Sequence, residues 1–148
     1  NYGPRQNFSG PLAGVIPLTI ARINQGRAPE IHGDGTQKRD FVFVKDTVDY
    51  TIRLFDKVER GTSVNIADDN CVEIGALIQT LARLMGFAGE IRRAPARHSD
   101  VYCHNASNAL LRTLVPAKTT PFEAGLRETI AWLLVAMKER ESSSEGRP

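Results

Sequence analysis

Apolar residues recur along this chain with two periods, and they divide it into alternating helical and extended stretches. Over residues 14–25, Ile16, Ile20 and Ile23 extend a stripe begun by Leu12, and Gly26 follows, which predicts a helix. Pro17 is compatible only with the first turn, so the helix starts near residues 14–16. Residues 41–44, Phe-Val-Phe-Val, read as a strand. Asp46 is placed to cap a second helix, with Asp49 suited to its positive end. Val48, Ile52, Phe55 and Val58 form that helix's expected buried stripe, and Gly61 stops it. Residues 63–67 read as a strand. Residues 72–85 read as a third helix, with Ile74, Leu77, Ile78, Leu81 and Leu84 inward. A short strand at 90–94 and a short helix at 105–114 follow. Thr120-Pro121-Phe122-Glu123 carries a capping-box pattern ahead of a last helix to about residue 140, with Phe122, Leu126, Ile130, Leu133, Leu134 and Met137 inward. Residues 141–148 are polar and read as a disordered tail, leaving a domain over 1–140.

The pattern therefore predicts an α/β chain of about five helices and a few short strands. The strands are few and far apart, too few for the neighbours a buried parallel sheet needs, which hints at a missing sheet.

Composition narrows the possibilities. The 148 residues suit one domain, and 41% hydrophobic against 24% charged residues suits a packed core. A net charge of +2 argues against a nucleic-acid partner, and no apolar run is long enough for a membrane span. The N-terminus reads as no signal peptide, and two cysteines make no disulfide framework, so a cytoplasmic location is expected. The chain starts without a Met, which suggests a processed or truncated piece.

Candidate chemistry is sparse. His98, Cys103 and His104 lie close in sequence, but adjacent ligands diverge, and a core cysteine with two polar histidines is the commoner outcome, so no metal is expected. No nucleophile motif is present. Gly33-Asp34-Gly35 is a glycine turn that does not open a helix after a strand, as a dinucleotide fingerprint must. Its setting is more informative. Arg39, at the mouth of the expected strand, could grip a phosphate bidentately, with Asp40 holding the guanidinium or closing the loop. On the residues alone, a surface Arg–Asp pair is the commoner reading.

Several separated blocks bear a family resemblance. They are residues 1–6 (NYGPRQ), 9–17 (SGPLAGVIP), 32–46 (HGDGTQKRDFVFVKD), 95–101 (PARHSDV) and 122–132 (FEAGLRETIAW). Together they resemble the nucleotide-sugar epimerases and dehydratases of the extended short-chain dehydrogenase/reductase family, UDP-hexose 4-epimerases most of all. The resemblance implies the C-terminal substrate-binding domain of such an enzyme, without its N-terminal Rossmann part. It implies that Arg39 and Arg97 hold the pyrophosphate and ribose of a UDP-sugar, that Asp100 accepts from a ribose hydroxyl, and that Gly14 and Val15 meet the nucleotide through their backbone. Ile31 and His32 would line the base, although the family usually has Tyr or Phe at the position of His32. Gln6 would sit near the sugar and Tyr2 near the nicotinamide.

The family's catalysis uses NAD bound at GxxGxxG and a Tyr-x-x-x-Lys pair, in which the Tyr is the general base. Neither motif is present: Tyr2, Tyr50 and Tyr102 are followed four positions later by Gln6, Leu54 and Ala106. No catalytic residue is therefore expected, and NAD is expected only in the complete enzyme. The expected partners are a nucleotide-sugar and either a Rossmann domain or a second copy of the chain. As a stand-alone module the chain would leave an exposed apolar patch near residues 41–44 and 64–67.

Overall fold

The computed structural model describes residues 1–96, 98, 100–116 and 118–145. In chain order its elements are α1 (Val15–Asn24), β1 (Glu30–His32), β2 (Lys38–Asp40), α2 (Val44–Leu54), β3 (Cys71–Glu73), α3 (Ile74–Leu84), β4 (Arg92–Ala94), β5 (Cys103–His104), α4 (Ala109–Leu114) and α5 (Phe122–Glu145). This is the expected mixture of five helices and a few short strands.

Three helices, α1, α3 and α5, pack together around the main core. Ile16 and Ile20 of α1 meet Leu77 and Leu81 of α3 and Leu126, Ile130 and Leu133 of α5, all spaced three or four residues apart along their helices. The N-terminal segment adds Tyr2, whose ring packs against Phe41, Phe43 and Phe122. A smaller core joins Tyr50 and Leu54 of α2 to Leu111 and Val115 at α4.

The strands form two small sheets. In one, β1 pairs with β4 in parallel. In the other, β2 lies between antiparallel β3 and parallel β5. Two expected strands are displaced. Residues 41–44 do not form a strand, because β3 and β5 reach only Lys38–Asp40; Phe43 makes a single bridge to Tyr2 and is already the N-cap of α2. Residues 63–67 form no ladder either. Side chains take its place: Asn108 Nδ2 donates to the Ala67 carbonyl at 3.1 Å, and Asn65 Nδ2 donates to the Ser107 carbonyl at 3.3 Å.

Helix α2 is turned nearly to the opposite face. Tyr50 and Leu54 point inward, while Val48, Ile52 and Phe55 are exposed, because the neighbouring α4 covers only the first face; Val58, beyond the end of α2, does pack against the smaller core. The expected apolar patch is displaced in the same way. Val42, Phe43 and Ala67 are buried, and the exposed stripe runs along α2 instead.

Asp46 is in the first turn of α2, not at its cap. Its carboxylate accepts the Thr120 N–H and the Thr120 hydroxyl, each at 2.7 Å, and so ties α2 to the entry of α5. Thr120 is thereby drawn away from the capping box, and Glu123 pairs with Arg83. Two bonds to an ionised acceptor are at stake, so Asp46→Ala is expected to destabilise the fold by about 2 kcal/mol in urea denaturation. Unchanged stability would mean that this tie is solvent-equivalent.

Helix α5 also runs beyond residue 140, through much of the expected tail. Within this stretch Ser142 and Ser143 donate their hydroxyls to the carbonyls of Lys138 and Glu139, four residues earlier.

Candidate functional site

A cavity of about 640 Å3 opens between α1, the β1–β2 region and the segment at Asp100. Gln6, Gly14, Val15, His32, Arg39 and Asp100 all line it, bringing together residues up to 94 positions apart in sequence. Ile31 is buried and does not line it. Arg97 lies outside the described residues.

Arg39 is the most constrained cation in the wall. The short ladder of β2 sends its side chain to the opposite face from Lys38 and Asp40. Its guanidinium donates to the carbonyls of Lys38, at 2.8 Å, and Val101, at 2.5 Å, and forms an ion pair with Asp100. Asp40 does not hold Arg39; both of its carboxylate oxygens accept the Asp68 N–H. Burial pushes the Asp68 carboxyl up, with Asp40 and Asp46 adding and the Thr119 hydroxyl opposing.

The glycine turn is architectural. Asp34 Oδ1 accepts from the Thr36 N–H at 2.9 Å and its hydroxyl at 2.8 Å, which holds the Asp34 carboxyl below its usual range. The Gly35 carbonyl accepts the Gly75 N–H at 2.8 Å, at the start of α3. With φ +81° and Gly75 backbone 3.1 Å from where a Cβ would stand, residue 35 must be glycine. The turn thus anchors β2, and with it Arg39, onto α3.

His32 Nδ1 lies 3.3 Å from the Pro95 carbonyl oxygen, and Gln37 Nε2 donates to the His32 carbonyl at 3.0 Å. The Oε1 atoms of Gln6 and Gln37 have no hydrogen-bond partner among the described residues, and both side chains line the cavity. Arg22 also lines it; its Nη2 donates to Glu30 at 2.6 Å and its Nε to the Ala28 carbonyl at 2.9 Å. Gln37 and Arg22 were missed in the sequence. Arg22 had a readable signal, since Val15, Leu18, Thr19 and Arg22 sit at helical spacing beside the core stripe of α1.

Tyr2 is only 2% exposed, and its hydroxyl donates to the Phe122 carbonyl at 3.2 Å. Burial pushes its phenol well up, with Asp46 and Asp68 adding. In this position its ring is packed among Phe41, Phe43 and Phe122, inside the main core. Among the described residues, no group of three or more His, Cys, Asp or Glu side chains is placed to hold a metal, and no helix is long and apolar enough to cross a membrane.

The sequence pattern of the NAD dependent epimerase/dehydratase family matches residues 1–67. Among curated relatives, the UDP-N-acetyl-alpha-D-glucosaminuronate decarboxylase of Bacillus cytotoxicus is 33% identical over 140 residues, covering 88% of this chain and 43% of that protein. The chain belongs to the NAD-dependent epimerase/dehydratase family. Its fold agrees with that of solved members. The UDP-glucose 4-epimerase of Thermotoga maritima, determined with UDP-glucose, superimposes with a TM-score of 0.84 at 26% identity, over 92% of this chain and 44% of that one. The UDP-N-acetylglucosamine 4-epimerase of Methanobrevibacter ruminantium, determined with UDP-N-acetylmuramic acid, gives 0.83 at 30% identity, with the same coverage. The chain spans less than half the length of these family members.

Proposed function

We propose that this chain is the nucleotide-sugar-binding part of an NAD-dependent sugar-nucleotide epimerase or dehydratase, with a UDP-hexose as its ligand, acting in the cytoplasm. The observation that carries this reading is the convergence of Gln6, Gly14, Val15, His32, Arg39 and Asp100 on one cavity. A guanidinium suits a doubly charged pyrophosphate. Arg39 already spends donors on Asp100, so a ligand phosphate would take over part of that contact while Asp100 turns to a ribose hydroxyl. The Oε1 atoms of Gln6 and Gln37 are buried without a partner among the described residues, and a small turn of either amide would offer an acceptor to sugar hydroxyls or a base N–H.

On this reading the chain binds and orients the ligand, and the chemical step, with its NAD, belongs to a larger protein. Calorimetric titration with UDP-glucose tests it. Saturable heat that UMP alone reproduces only weakly is expected, and no heat at millimolar ligand would sink the reading. An Arg39→Ala, Arg97→Ala pair that binds no worse than Arg39→Ala alone would remove Arg97 from the clamp.

The exposed stripe Val48, Ile52 and Phe55 on α2 supports a covering partner, which we take to be a Rossmann domain rather than a second copy of the chain. Ile52→Glu with Phe55→Glu is expected to change the stability of the isolated chain by less than about 0.5 kcal/mol, since both side chains are solvated. It should also lower the fluorescence of a bound apolar dye. A large drop in stability would show that the stripe is packed within the chain. A concentration-dependent dimer that the double variant dissociates would replace the Rossmann domain with a second copy.

A further inference from the structure

Cys71 opens β3 and Cys103 opens β5, the two strands that flank β2. Cys71 is opposite Asp40 and Cys103 opposite Lys38, so both side chains leave the same face of the sheet, on either side of Arg39. Their Sγ atoms are 3.7 Å apart and unbonded. Cys103 is exposed and Cys71 half-buried. The residues just before β5, Asp100 and Val101, are the ones that grip the Arg39 guanidinium.

We infer that Cys71 and Cys103 are a hydroperoxide-sensitive thiol pair whose disulfide locks the segment holding Arg39 and weakens nucleotide-sugar binding. The binding half of this inference rests on the function proposed above. The exposed Cys103 thiolate attacks the peroxide: an S–O bond forms, the O–O bond breaks, and the leaving oxygen departs as water after taking a proton. Cys71, as thiolate, then attacks the Cys103 sulfur; the S–S bond forms, the S–O bond breaks, and a second water leaves. Two thiols are oxidised and one peroxide is reduced. A disulfide is about 2.05 Å long, so the sulfurs must close by roughly 1.7 Å. Strand β5 has two exposed residues at a sheet edge, whereas β3 runs directly into α3, so the shift falls on β5. Bonded to β3, it keeps Asp100 and Val101 on Arg39, and the guanidinium can no longer turn to a phosphate.

Hydrogen peroxide treatment of the reduced chain, followed by intact mass and peptide mapping, tests the bond. A loss of two hydrogens and a 71–103 cross-linked peptide are expected, reversed by dithiothreitol and absent in Cys71→Ser and Cys103→Ser. Sulfinic acid on Cys103, or links only between chains, would overturn the inference. Hydrogen exchange over residues 100–104 should slow on oxidation without any ligand, and unchanged exchange would refute the locking. UDP-glucose should bind the oxidised chain about tenfold more weakly, the value of one lost charge-assisted bond. Equal affinity in the two states would overturn the coupling. A reduced chain that does not bind UDP-glucose would refute the proposed function and with it the coupling, while the mass and exchange results still decide the disulfide.

Discussion

Arg39→Ala is expected to weaken UDP-glucose binding about a hundredfold. A guanidinium that meets a pyrophosphate makes charge-assisted, bidentate bonds, and losing them costs about 3 kcal/mol, near two decades in Kd. Arg39→Lys should recover only part of this, because an ammonium keeps the charge and loses the fork. Titration calorimetry at fixed ionic strength measures both variants. The fold should lose less than binding does, because part of the Arg39–Asp100 pair reaches solvent, although the Lys38 and Val101 carbonyls also lose their donor. Binding of Arg39→Ala within threefold of the parent chain would remove Arg39 from the site. A collapse in thermal stability would reassign it to the architecture of the segment around Asp100 and Val101.

Gly125→Ala is expected to destabilise the fold by about 2 kcal/mol, reversing the usual sign. Within a helix, Gly to Ala normally stabilises by 0.5–1 kcal/mol. Here an added Cβ would collide with the Tyr2 hydroxyl and lie 3.0 Å from the Phe43 ring. Both rings are buried in the main core and cannot yield cheaply. Moving Tyr2 also gives up its hydrogen bond to the Phe122 carbonyl. Denaturant unfolding of Gly125→Ala, Tyr2→Phe and the double variant forms a cycle. Removing the hydroxyl should relieve part of the clash, so the double variant is expected to be more stable than the sum of the single changes. A Gly125→Ala variant as stable as the parent chain would show that the start of α5 and the N-terminal segment are loosely packed.

Much of the fold could be read directly. The stripes of α1, α3 and α5 follow from apolar spacing, because a helix whose single apolar face meets the main core carries that face in its sequence; Leu12 is the exception, since it precedes α1 and is exposed. For α2 the spacing misleads. The helix has two apolar faces, one with Tyr50 and Leu54 and one with Val48, Ile52 and Phe55, and which one turns inward depends on α4. The residues 41–44 are β-branched and aromatic, yet a ladder needs partners, and β3 and β5 stop at Asp40. Local propensity cannot supply a neighbour.

The candidate site divides in the same way. Arg39, Gln6 and Gly14 were legible because they stand in blocks that resemble a family. Gln37 was not, because an amide in a loop looks the same whether it faces solvent or a cavity, and Arg22 carried only the helical spacing it shares with Val15, Leu18 and Thr19. The pairing of Asp100 with Arg39, against the nearer Asp40, was also hidden. Alternation along β2 sends residues 39 and 40 to opposite faces, so sequence neighbours become spatial strangers.

By itself, the sequence determined the class of this protein, its helices and the family its motifs resemble, because these rest on residue type and short-range spacing. Only the tertiary structure decided which carboxylate holds Arg39, which face of α2 is left exposed, why residue 125 must be glycine, and that two cysteines 32 residues apart come within 3.7 Å. Each of these depends on distances between segments remote in the chain, which packing sets and local spacing does not encode.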